Sequence, residues 1–139
     1  MTPHQSLRAL VFFLRFGGVV LLFAFGAVLL PTDWMAAVHR WLGMGEFPAA
    51  PLTDYLVRSV AALYGFHGVL VLIVAGEPAR YERIVLYLGV MDIVFGLLMV
   101  AIDLHAGMPM VWTFLEGPPL VGVGMLILYL RERAGIVAA

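Results

Sequence analysis

The chain contains no cysteine and no lysine. The first absence excludes disulfide frameworks, thiolate metal sites and cysteine nucleophiles. The second excludes Schiff-base chemistry, which requires a lysine amine. The only serines, Ser6 and Ser59, do not sit in a nucleophile elbow. Phosphate-binding loops, dinucleotide fingerprints and the His-Glu-x-x-His zinc motif are also missing. Charge is scarce: 12% of residues are charged, about half the share of an ordinary soluble domain. With a net charge of -1 and no basic cluster, nothing suits a nucleic-acid partner.

What the chain has in abundance is apolar surface. Hydrophobic residues make up 63% of its 139 positions, and the mean hydropathy is +1.03. A single domain of this length leaves much of its surface in water and cannot hide that much apolar area. A lipid environment removes the conflict. All eight basic residues are arginine, and with many Ala, Gly and Val this composition fits a GC-rich bacterial genome.

A membrane-crossing helix needs ~20 mostly apolar residues. Four stretches qualify: Ala9–Leu30, Leu56–Gly76, Ile84–Ile102 and Val111–Leu130. The first has an alternative reading as a signal peptide, since Arg8 and Arg15 lead the run and Ala24, Phe25 and Gly26 loosely resemble a cleavage site. The expectation is a retained span. Arg8, Arg80, Arg83, Arg131 and Arg133 flank the spans on one side, against only Arg40 in a loop on the other. The positive-inside rule then places both termini in the cytoplasm, in a bacterial inner membrane. The connections from Pro31 to Asp54 and from His105 to Met110 face outward.

The longer outer connection predicts a short helix. Thr32 or Asp33 caps its start, it runs to Leu42, and Gly43 ends it. Trp34, Val38, Trp41 and Leu42 recur at helical spacing, with His39 and Arg40 on the other side. Tryptophans on one side suit a helix lying in the membrane interface; the alternative is a plain loop. The expected fold is therefore all-α: an integral membrane four-helix bundle, residues 1–139 as one domain, with an interfacial helix in the first outer loop. The fourth span is irregular, because Pro118 and Pro119 deprive the carbonyls of Phe114 and Leu115 of their helical donors. A kinked or broken helix is expected there, or one that starts at Pro118 with Trp112–Glu116 as a lead-in.

Each apolar stretch holds one charged residue: Arg15, Arg58, Asp92 and Glu116. An ionised group at a helix centre costs roughly 2.5 to 3.5 kcal/mol on insertion scales, so such groups face the interior or water and pair. Arg15 and Asp92 lie six and eight residues from the cytoplasmic ends of their spans, ~9 and ~12 Å deep. Arg58 and Glu116 lie near the outer ends. Two ion-pair layers are expected, Arg15 with Asp92 and Arg58 with Glu116. Alternative partners for Arg58 are Asp54 four residues earlier, Asp103, or the carbonyls freed by the prolines, and Arg15 alternatively snorkels to the cytoplasm. Asp92 and Asp103, eleven residues apart, share one face with Gly89, Gly96 and Met99. That face is a close helix contact or a carboxylate ladder for protons or cations. His67 lies at a depth similar to Asp92, as a packing residue, a ligand or a proton relay. Gly17, Gly18, Gly26, the step from Ala61 to Gly65, and Gly122 and Gly124 mark close helix contacts.

Beyond the spans, Asp54, Arg58, Asp103, His105 and Glu116, with His39 and Arg40, outline a polar outer vestibule. Asp103, His105, Glu116 and His39 offer a partial ligand set but lack metal-site spacing, so no metal is expected. A lone span histidine gives no bis-histidine haem site. No cofactor is called for, and a bound lipid or quinone suits the vestibule. The favoured role is a small polytopic membrane protein acting as an accessory or assembly subunit, or as an oligomerising bundle, with lipids and a second copy or a larger membrane complex as partners. The alternatives are a proton- or ion-coupled transporter or channel using intramembrane carboxylates, and a small membrane enzyme or lipophile-binding protein with an outer pocket. A cytoplasm-restricted fluorescent reporter fused after Arg133 should light up in intact cells, and one inserted at Gly45 should stay dark. The reverse pattern would overturn the orientation.

Overall fold

The computed structural model describes residues 1–136, which form helices and their connections, with no strand among them. Six helices follow in order: α1 (Pro3–Leu22), α2 (Phe25–Leu29), α3 (Thr32–Trp41), α4 (Pro51–Gly76), α5 (Glu82–Ala106) and α6 (Met110–Arg133). Four stretches are long and apolar enough to cross a membrane: Pro3–Leu29, Pro51–Gly76, Glu82–Ala106 and Met110–Arg133. Each extends past the apolar run that predicts it, because backbone hydrogen bonding continues into polar turns. Asp54 thereby falls in the first turn of α4 and His105 in the last turn of α5.

The first span is irregular. Between α1 and α2 the backbone winds tighter: the amides of Ala24, Gly26 and Ala27 donate three residues back, at 2.9–3.1 Å, the 3₁₀ pattern. The Phe25 ring lies over Gly65, where a Cβ would come within 2.5 Å of it. It also meets Phe66 edge-on, with ring centroids 5.2 Å apart.

By contrast, α6 is continuous through Pro118 and Pro119, which corrects the expectation of a break or a start at Pro118. The residue before a proline normally clashes with the ring when helical. Here that residue is Gly117, whose missing Cβ removes part of the clash.

The expected short helix forms as α3, and Gly43, at φ +77°, follows its end. Its cap differs. Pro31 occupies the N-cap position without a side-chain bond, and Thr32 is the first helical residue, its hydroxyl used elsewhere. Trp34, Val38 and Trp41 are exposed along one face, while Met35 is buried. The following loop folds back: the Nδ1–H of His39 donates to the carbonyl of Gly45 at 3.1 Å, and Arg40 pairs with Glu46 at 3.6 Å.

The chain divides into two compact units, residues 1–15 with 73–139, and residues 16–72. In the second, Gly18 and Gly68 bring α1 and α4 together: a Cβ on Gly68 would stand 2.8 Å from the Gly18 carbonyl oxygen. Gly17, Gly26 and Gly122, expected at contacts, face open space.

In the first unit, Leu10, Leu14, Val74, Val85, Leu88, Ile127 and Leu130 are buried. Its main feature is the antiparallel seam between α5 and α6. Gly89, Gly96 and Asp103, seven residues apart, are buried on α5, facing buried Thr113, Gly117 and Gly124 on α6. A Cβ on Gly124 would stand 2.5 Å from the Gly89 carbonyl oxygen, and one on Gly96 2.6 Å from that of Gly117. Backbone therefore rests on backbone, the arrangement that small residues permit. Gly107, at φ +69°, ends α5; the Met108 amide donates to the Asp103 carbonyl at 2.9 Å, and Pro109 opens α6. This left-handed stop allows a three-residue reversal.

Gly96→Ala and Gly124→Ala should each destabilise the protein by about 1–3 kcal/mol through overpacking. Gly122→Ala should be neutral or slightly stabilising. Thermal melts in a fixed detergent would measure this, and equal effects at all three positions would contradict the seam.

Candidate polar sites at the helix ends

Three ion pairs form among the described residues: Arg40–Glu46, Arg58–Asp54 and Arg80–Glu77. The expected pairing of Arg15 with Asp92 is not among them. Arg15 is exposed on α1, and Asp92 is half-buried. Arg15 lies on the exposed side of α1, one residue on from buried Leu14, whereas Asp92 lies on α5 about 40° from Gly96 of the seam at 100° per residue. His67 is half-buried on α4 and makes no hydrogen bond or ion pair among the described residues. His105 is exposed.

Arg58 takes the alternative partner Asp54, four residues earlier on its own helix, with Nε donating to Oδ2 at 2.9 Å. One further guanidinium N–H donates to the carbonyl of Val28 and another to the Thr32 hydroxyl at 3.5 Å. The Thr32 hydroxyl in turn donates to Asp54 Oδ1 at 3.2 Å. The Val28 carbonyl lies in the last turn of α2, where intrahelical donors run out. The planar, multi-donor fork of arginine thus ties the end of α2, the start of α3 and the first turns of α4. The sequence exposes the Arg58–Asp54 spacing. It does not expose Thr32 and Val28, which reach Arg58 across 26 and 30 residues.

A second polar cluster sits at the Gly107 end of the α5–α6 hairpin. Asp103 is 3% exposed and Thr113 4%. Asp103 Oδ2 and Thr113 Oγ1 have no hydrogen-bond partner among the described residues, as is also true of Ser6 Oγ on α1 and Arg131 Nε on α6. Glu116 is half-buried one turn after Thr113, with Asp103 and Trp112 as the side chains close enough to act on its carboxyl. Of the vestibule residues, Asp103 and Glu116 both fall at this end of the hairpin, and Asp54 and Arg58 pair in the other cluster. Thr113 was not legible as a member, since a threonine in the first turn of a helix carries no signature.

Among the described residues no group of three or more His, Asp and Glu side chains is gathered to hold a metal ion. A shallow apolar groove runs along α5, lined by Tyr87, Val90, Met91, Val94, Phe95 and Leu98. Compared with protein-family models, with curated proteins and with solved structures, the chain matches none.

Replacing Arg58 by Leu should speed amide hydrogen exchange across residues 28–34, and Arg58→Lys should restore protection only in part, because an ammonium cannot span the same three acceptors. Exchange followed by mass spectrometry in lipid nanodiscs would show it. Unchanged exchange in Arg58→Leu would refute the tie.

Proposed function

We propose that this chain is a four-span protein of the bacterial inner membrane, with both termini cytoplasmic. Its role in this reading is non-catalytic: it assembles side by side with another membrane-embedded chain as an accessory subunit or as an oligomer. The apolar windows of its four spans are only 11–33% buried within the chain, so most of their surface is left for lipid or for a partner.

The observation that carries the assembly reading is Arg15. It lies six residues inside the apolar run that begins at Ala9, ~9 Å along the axis, and it is exposed. Phe12 and Val19, within about 60° of it around the helix at 100° per residue, are exposed as well. An arginine on an apolar helix face calls for a carboxylate or for water. Its three methylenes and guanidinium would have to span most of that depth to escape by snorkelling. A carboxylate-bearing helix from a second copy or from a larger complex satisfies it directly.

Arg15 facing a partner's carboxylate and Arg15 facing lipid have opposite consequences. In the first case Arg15→Leu dissociates the assembly while the chain stays folded and membrane-bound. In the second it leaves the assembly unchanged and raises the thermal midpoint. Native mass spectrometry of gently solubilised membranes, paired with a melt of the same samples, reads both. The second outcome, or a strictly monomeric native chain, would sink the proposal.

A further inference from the structure

The polar cluster at the Gly107 end of the α5–α6 hairpin has no part in the assembly reading, and its chemistry points elsewhere. The seam fixes the register: Gly89 meets Gly124 and Gly96 meets Gly117. One further step of seven residues brings Asp103 to the first turn of α6, where Thr113 is buried. Both side chains are more than nine-tenths buried, and both keep an oxygen without a hydrogen-bond partner among the described residues. Buried polar oxygens are nearly always satisfied, so each orphan calls for an occupant. Glu116 adds a second carboxyl within electrostatic range of Asp103. Two carboxylates so placed repel each other, and a positive charge between them turns that repulsion into attraction.

We propose that Asp103, Glu116 and Thr113 hold a hard, oxygen-preferring cation at the Gly107 end of the α5–α6 hairpin. The donors named are two carboxylates and a hydroxyl, with no thiolate or imidazole among them. Oxygen-only sets select Na⁺, Ca²⁺ or Mg²⁺ over the softer transition metals. His105, two residues beyond Asp103, is exposed and off this face. With only two carboxylates, the site belongs at the weak end of the cation range, with a Kd of about 10⁻⁴–10⁻³ M for a divalent ion. In this reading the seam serves the site by holding the helix backbones close.

Trp112 supplies an intrinsic reporter, since it stands beside Thr113 in sequence and close to the Glu116 carboxyl. In the full chain carrying Trp34→Phe and Trp41→Phe, it is the sole tryptophan. That protein, in nanodiscs, is titrated with NaCl, KCl, MgCl₂ or CaCl₂ against choline chloride at constant ionic strength. The expected result is a saturable change in Trp112 emission with at least one of Na⁺, Mg²⁺ and Ca²⁺. Asp103→Asn should abolish it. Glu116→Gln should weaken apparent affinity about tenfold or more, because ligand charge sets affinity in such sites. Thr113→Val tests the hydroxyl and should weaken binding while leaving helix content by circular dichroism unchanged. If Asp103→Asn fails to fold, Glu116→Gln and Thr113→Val carry the test. No saturable response to any cation would overturn the proposal. So would an equal response in a folded Asp103→Asn or in Glu116→Gln. An emission change that follows pH alone, with no cation effect, would assign a shared proton to the pair instead and overturn it as well.

Discussion

Contact between the α5 and α6 backbones organises most of what can be said about the polar residues of this chain. With Gly89 against Gly124 and Gly96 against Gly117, the two helices approach closely enough that neither can slide or rotate without a backbone collision. A glycine seam of this kind fixes register more strictly than interdigitated leucines would, because no flexible side chain absorbs an error. The stop at Gly107 then closes the hairpin at a fixed distance from the seam. Asp103, Thr113 and Glu116 owe their placement to these two features together.

The four charges within the long apolar helices meet four different fates. Arg58 is satisfied locally, by a residue one helical turn away and by backbone and hydroxyl groups of the preceding connection. Glu116 stands beside a second acid, Asp92 sits at the edge of the seam, and Arg15 is exposed. Local pairing at i and i−4 requires no tertiary precision and therefore wins whenever it is available. Pairing between helices requires matched phase as well as matched depth, and phase is where Arg15 and Asp92 part company.

How much of this was legible follows the same division. The four long helices could be read directly, because runs of some twenty apolar residues have few other uses. Their ends could not, since polar turns such as Pro51–Tyr55 look like loop until the hydrogen bonds are seen. The stripe through Gly89, Gly96 and Asp103 was legible as a helix face. Which neighbour it would meet was not, and Gly117 went unnoticed beside the louder prolines. The tight winding at Phe23–Ala27 left no mark in the sequence, as neither Pro nor an unusual polar residue stands there. Conversely, Pro118 and Pro119 advertised a break that does not form. Depth along a helix is a matter of counting, whereas phase relative to a neighbour is settled only by packing.

The Phe25 ring lying over Gly65 carries a consequence for how this chain can change over evolutionary time. The ring occupies the volume that a side chain on α4 would otherwise fill, so the two positions share a single allotment of space. A larger residue at 65 is compatible only with a smaller one at 25, and neither half-step is comfortable alone. In relatives of this chain the two sites should therefore drift as a linked pair, bulk migrating from one helix to the other while their sum stays constant.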